Sequence, residues 1–153
     1  MKTIRSILES QGNLVVLDSW NQMQNIVNKE IGWENMTLYE PFINASGRKK
    51  GEHIQMNIND PRDGHSVYLG FKVKDKYVGF ACVDLEEKDS IWIGDFEVFE
   101  KKKGYGRQFF EAIMSKYPRK KAELCYHGLN AKQFWTHMGF VVSHGCVMQK
   151  DLK

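Results

Sequence analysis

Three lysines, two glycines and an arginine stand close together in Lys101-Lys102-Lys103-Gly104-Tyr105-Gly106-Arg107. The apolar run Ile91–Val98 precedes them. Phe109, Phe110, Ile113, Met114 and Tyr117 follow at helical spacing. A glycine loop between a buried strand and a helix start suits an anion. The first helical N–H groups have no partner within the helix, and the aligned peptide dipoles add partial positive charge there. Glycine lets the backbone come close to a phosphate with no Cβ in the way. The lysines and Arg107 add full charges. A phosphate-bearing ligand and a merely solvated basic turn both fit these residues. The loop is not a Walker motif, because GxxxxGK[ST] is absent. With two glycines and no surrounding βαβ repeat it is not a dinucleotide fingerprint either.

Other reactive side chains offer less. Cys125 and His127 fall on one face of a strand-like run, so a Cys–His nucleophile pair is conceivable beside the simpler reading of a packed thiol and a partly exposed imidazole. His144 and Cys146 flank Gly145 and make two metal ligands at most. With no CxxC or HxxxH in the chain, no metal site is expected. His53, His65 and His137 have no partner visible in the sequence, and Arg48-Lys49-Lys50 reads as a solvated basic run.

The 153 residues have the length of one domain with one core. A net charge of +3 permits anionic ligands without arguing for bulk nucleic-acid binding. No apolar stretch is long enough for a membrane helix, and the N-terminus MKTIRSILESQ lacks a signal-peptide core. Cys82, Cys125 and Cys146 are odd in number and read as buried free thiols in a reducing compartment, which makes the cytoplasm the expected location.

The elements that must position the basic loop follow from periodicity. Thr3–Ser10 suits a short helix and Leu14–Leu17 a short strand. Ser19 and Gln22 have the capping-box spacing, with Trp20, Met23, Val27 and Ile31 as the helix's apolar stripe and Gly32 at its end. From Trp33 to His65 the pattern is weak, apart from a strand candidate at His53–Ile58, and the segment reads as a linker or a binding loop. Val67–Val73, Tyr77–Leu85 and Ile91–Val98 then form an antiparallel meander, with a tight turn at Asp75-Lys76. The helix after the glycine loop ends before Pro118. A strand at Ala122–Tyr126, a helix at Asn130–His137 and a hairpin of Phe140–Val142 with Cys146–Gln149 complete the order, with Ser143, His144 and Gly145 in the bend. Strand, helix, strand through Arg107 is a crossover, so its two strands should be parallel in a mixed sheet with helices on its faces. Ligands in such sheets bind beyond the strand C-termini, where the loop lies.

In this setting the chain resembles the GNAT superfamily of acyl-CoA-dependent N-acyltransferases. Their loop motif [RQ]-x-x-G-x-[GA] is matched by Lys101-Lys102-Lys103-Gly104-Tyr105-Gly106. Their downstream A-x-x-F-[YW]-x-x-x-G-F is matched by Ala131-Lys132-Gln133-Phe134-Trp135-Thr136-His137-Met138-Gly139-Phe140. The resemblance covers Val67–Lys153, and the first third fits by element order alone. It implies an α/β (α+β) fold: a mixed, mostly antiparallel twisted sheet of about seven strands, with helices on both faces and a splay between the fourth and fifth strands. It implies acetyl-CoA as cosubstrate and no metal. The pyrophosphate would lie on Lys101–Arg107, and the pantetheine against backbone at Gly94, Asp95 and Phe96. Asn130 and Phe134 would add further cofactor contacts.

The resemblance also implies direct attack of a neutral amine on the thioester, with a backbone N–H polarising the carbonyl. The amine needs a base. Glu123 stands where some relatives carry a basic glutamate. Asp95 and Glu97 near the strand end, and a water chain, are the alternatives. Many relatives carry a tyrosine at Trp135 that protonates the departing thiolate. An indole cannot do so, which leaves Tyr105, Tyr126 or unassisted departure. Lysine replaces Arg or Gln at 101, and Gly128 replaces an asparagine that touches the cofactor. Acceptors in the family are small-molecule or protein amines, and dimers are common. Neither a membrane nor a nucleic-acid partner is expected. Two other functions fit the sequence: a CoA-binding module without catalysis, suggested by Trp135, and a nucleic-acid-binding domain using the basic loop.

Overall fold

The computed structural model describes residues 12–17, 22, 25–31, 65–100 and 103–152. The expectations for Thr3–Ser10, Ser19, Trp20, Met23 and His53–Ile58 lie outside these residues, as do Lys101 and Lys102. Seven strands form one sheet: β1 Gly12–Leu17, β2 Ser66–Val73, β3 Lys76–Asp84, β4 Ser90–Val98, β5 Lys121–Cys125, β6 Val141–His144 and β7 Val147–Asp151. Two α-helices, α1 Tyr105–Lys116 and α2 Leu129–His137, follow β4 and β5. A π-helical turn at Val27–Ile31 stands where the end of an α-helix was expected.

The sheet order is β1-β2-β3-β4-β5-β7-β6. Each neighbouring pair is antiparallel except β4 with β5, which the α1 crossover makes parallel as expected. On one face α1 buries Phe109, which stacks on Phe71 and on Phe96 with ring centroids 5.0 Å apart in each case. Leu69, Ala81, Val83, Ile91, Ile93, Ala122, Leu124 and Met148 complete that core. α2 joins the same face through Trp135, 5.9 Å from the Phe110 ring and 5.1 Å from Phe140. On the other face Tyr68, Tyr77, Phe80 and Cys82 are buried as well. Burial raises the Tyr77 pKa, and the Glu30 carboxylate raises it further.

The sheet departs from the sequence expectations at three points. The β2–β3 turn is centred on Lys74 and Asp75, one residue earlier than expected, with φ of 53° and 62°. Two consecutive left-handed residues make the turn whose twist matches a hairpin. β5 ends at Cys125 rather than Tyr126, so His127 is not on its strand face. Ser143 and His144 belong to β6 rather than to the bend, because Val142 pairs with Met148 and His144 with Val147, leaving Ser143 as a bulge.

A further correction concerns the cysteines. Cys125 and Cys146 are joined in a disulfide, and Cys82 is buried outside it. The β6–β7 turn brings Cys146 beside the end of β5, where its carbonyl also accepts from the Tyr126 N–H at 2.9 Å. The bond removes both the Cys125–His127 nucleophile pair and the reading of these cysteines as free thiols.

Candidate active site at the parting of β4 and β5

The site begins with a single inserted residue. Cys82 pairs with Asp95 and Val83 with Ile93, so Gly94 is an extra residue in β4 with no counterpart on β3. The bulge shifts the phase of alternation. Ile91 and Ile93 before it, and Phe96 and Val98 after it, all face the α1 core. Asp95 and Glu97 therefore point to the opposite face, as do Trp92 and, across the sheet, Glu123. The bulge also bends β4 away from β5. Their parallel pairing runs from Ser90 with Lys121 to Ile93 with Leu124 and stops there. From Gly94 to Val98 the β5-facing edge of β4 has no strand partner among the described residues.

The loop and α1 stand at the end of this opening. Gly104 caps α1 at φ 76°, and no side chain bonds to the cap. Its carbonyl accepts from the Gln108 N–H at 3.2 Å, which leaves the Tyr105, Gly106 and Arg107 N–H groups in the position that lacks intrahelical acceptors. A Cβ at Gly104 would meet nothing within 4 Å among the described residues, so the positive φ rather than crowding is the reason for glycine there. Gly106 has a different reason to lack a side chain. A Cβ there would come within 2.9 Å of the Phe134 ring. That close approach seats α2 against the start of α1. α2 has a second bare N-terminus, with Gly128 at φ 86° and again no side-chain cap.

The remaining predicted residues divide between this opening and its surroundings. Phe96 forms the floor on the core side, 6.0 Å from Phe134 and 5.0 Å from Trp135 between ring centroids. Tyr105 is partly buried against the core, and Asn130 is exposed in the first turn of α2. Arg107 is exposed, with Nη2 donating to the His137 carbonyl at 3.5 Å. Lys103 is exposed and paired with Glu100 at 3.6 Å, while Glu100 also holds Lys76 at 3.2 Å. Glu123 lies below the opening, opposite Trp92, and its carboxylate is 2.7 Å from the Lys121 ammonium. That pairing raises the Lys121 pKa. Tyr126 lies under the Lys132 ammonium, 5.5 Å from its ring centroid. Trp135 is buried among Phe96, Phe110, Phe134 and Phe140.

Asp95 has the most altered chemistry. Burial pushes its pKa up from the usual 3.8 to about 7, and the neighbouring Glu97 carboxylate pushes in the same direction. Glu97 is itself buried. A carboxyl group that changes charge near neutral pH can take and return a proton under ordinary conditions. Among the described residues no group of three or more His, Cys, Asp or Glu is arranged to hold a metal ion.

Two features escaped the sequence reading. The bulge had a signal, because apolar positions 91, 93, 96 and 98 break the period of two at a glycine. The disulfide had none, since its cysteines are 21 residues apart and three cysteines fix no pairing.

No protein-family model matches the sequence, and no curated protein matches it. Solved structures do match the fold. PaiA N-acetyltransferase from Thermoplasma acidophilum, in complex with coenzyme A, has a TM-score of 0.62 at 18% identity, over 93% of this chain and 99% of that one. An acetyltransferase from Thermus thermophilus has a TM-score of 0.66 at 14% identity, over 93% and 97%. An acetyltransferase from Salmonella typhimurium that modifies the N-terminal serine of a 50S ribosomal subunit protein has a TM-score of 0.60 at 14% identity, over 94% and 96%. At such identities the likeness establishes the fold alone, the one these N-acetyltransferases share and the one the resemblance to the GNAT superfamily implied.

Proposed function

We propose that this chain, built on the GNAT fold, is an N-acetyltransferase that moves an acetyl group from acetyl-CoA to a primary amine within a ternary complex. The observation that carries the reading is the parting of β4 from β5 beside Asp95, with the uncapped start of α1 at its end. Acetyl-CoA would supply the acetyl group as an activated thioester. The free edge of β4 at Gly94, Asp95 and Phe96 offers backbone groups to a pantetheine amide chain. The bare N–H groups after Gly104, with Lys103 and Arg107, suit a pyrophosphate. Phe134 and Asn130 line the approach from α2, and Lys101 and Lys102 add charge to the loop.

Asp95 is the favoured base. In its carboxylate form it removes a proton from the incoming ammonium, and the neutral amine then attacks the thioester carbonyl. A backbone N–H on the β4 edge polarises the carbonyl oxygen as charge develops there. Glu97, buried beside Asp95, keeps that carboxyl basic by repulsion. Glu123 is less suited, because its charge is already engaged by Lys121. Trp135 has no acidic proton and is enclosed by other rings, so the thiolate leaves without help from that position. The acceptor, a small-molecule or protein amine, approaches from the Asp95 face. The 153 residues act as a single domain.

Thermal unfolding with and without acetyl-CoA tests the cofactor site. A ligand that binds only the native protein raises the midpoint in a concentration-dependent way. A rise followed by thiol release with a panel of amines supports the enzyme. A rise with no release for any amine would favour the CoA-binding module, and no rise at millimolar acetyl-CoA would overturn the site.

A further inference from the structure

The Cys125–Cys146 disulfide lies at the edge of the proposed site, and its orientation relative to that site is specific. Leu124 is the last β5 residue paired to β4, so Cys125 is the first one beyond the parting. Leu124 faces the α1 core, and Cys125, next in the alternation, faces the side of Asp95 and Glu97. Cys125 is partly buried, whereas Cys146 is exposed in the β6–β7 turn. The strand order β4-β5-β7 puts Cys146 on the far side of Cys125 from the opening.

Thiol–disulfide exchange needs an attacking thiolate in line with the sulfur–sulfur bond, opposite the sulfur that leaves. For attack on Cys125 with Cys146 leaving, the line of approach comes from the β4 side, which is the parting itself. The exposed, hydrated Cys146 sulfur is the better placed of the two to depart as a thiolate. On the function proposed above, on which this inference rests, each turnover leaves a free CoA thiol in that opening.

We propose that Cys125 is a modification site for the CoA thiol. The CoA thiolate attacks Cys125 Sγ, and a bond forms between the two sulfurs. The Cys125–Cys146 bond breaks with its electron pair going to Cys146, which takes a proton from solvent. One disulfide replaces another, so no oxidant or reductant is consumed. Return attack by Cys146 on Cys125 restores the original bond and releases CoA. The sulfur of acetyl-CoA is already acylated and cannot exchange, so the site distinguishes spent cofactor from charged cofactor. While CoA is attached, the opening is closed to acetyl-CoA and the β6–β7 turn has lost its covalent tie to β5.

The test uses the full chain purified without reductant. It is incubated anaerobically with equal millimolar concentrations of CoA, acetyl-CoA or glutathione, quenched in acid and weighed intact. CoA is expected to add the mass of one whole CoA, mapped to the peptide carrying Cys125, with Cys146 newly open to alkylation. Acetyl-CoA should add nothing. Glutathione should react more slowly by about tenfold or more, because it has no binding site to raise its local concentration. Several results would overturn the proposal: no CoA adduct, an adduct on Cys146, equal rates with glutathione, or a starting protein with three free thiols. Thermal unfolding of the same preparation with acetyl-CoA separates the two ideas. A raised midpoint without a CoA adduct would overturn this proposal alone, and an unchanged midpoint would overturn the acetyltransferase reading together with it.

Discussion

Among single residues, Asp95 concentrates most of the proposed chemistry. Its proton is held near neutral pH by burial first and by Glu97 second. Asp95→Asn is expected to lower turnover by about 10²–10⁴-fold with little change in acetyl-CoA affinity. The parent's rate should rise with pH through about 7, and the residual rate of the variant should lose that limb. Stability should move in the opposite sense. Between the ordinary carboxyl value of 3.8 and about 7, the folded protein holds a proton that the unfolded chain has released, so stability falls as pH rises through this window. Asp95→Asn should therefore be more stable than the parent in urea at pH 8, with the difference closing toward pH 4. Glu123→Gln is expected to leave turnover within about twofold, since that carboxylate serves Lys121. A large loss from Glu123→Gln beside a small one from Asp95→Asn would exchange their roles. Sequence reasoning could name Asp95, Glu97 and Glu123 but not rank them, because the burial that sets Asp95 apart comes from strands distant in the chain.

Among the elements, β4 shows how far a pattern can be read. Its existence and its parallel partner followed from apolar runs and from the crossover. Its change of phase at Gly94 decides which side chains share the face of Asp95 and Glu97, and that came from pairing to β3. α1 was legible almost to the residue, because its start is a glycine and its end is set by Pro118, which forces Tyr117 out of helical geometry. Phe109 ties this helix to the sheet between Phe71 and Phe96. Phe109→Ala should cost about 3–5 kcal/mol in urea unfolding. The β2–β3 turn was misplaced by one residue because neither Lys74 nor Asp75 is a glycine, although both adopt positive φ. Converting the pair to Asn-Gly, as Lys74→Asn with Asp75→Gly, should stabilise the hairpin by about 1 kcal/mol, measured by the same unfolding.

For the whole molecule, the disulfide changes more than local contacts. Closing a loop between cysteines separated by 21 positions restricts the unfolded chain, and reduction is expected to cost up to about 3 kcal/mol in urea unfolding. The expectation of a cytoplasmic protein rested partly on free thiols, and for Cys125 and Cys146 that ground is gone. The helices following the meander and the closing hairpin were legible because each has its own period, and because Pro118 ends the first helix and Gly139 follows the second. Pairing between distant strands was not, since it depends on which edges meet after collapse. The sheet order has a consequence for synthesis. β7 lies between β5 and β6, although β6 leaves the ribosome first. Until β7 emerges, β6 has no place in the sheet and β5 presents an open edge beside the finished meander. The nascent chain therefore passes through an interval in which that edge can accept a strand from another molecule, and it closes only when the later strand is inserted.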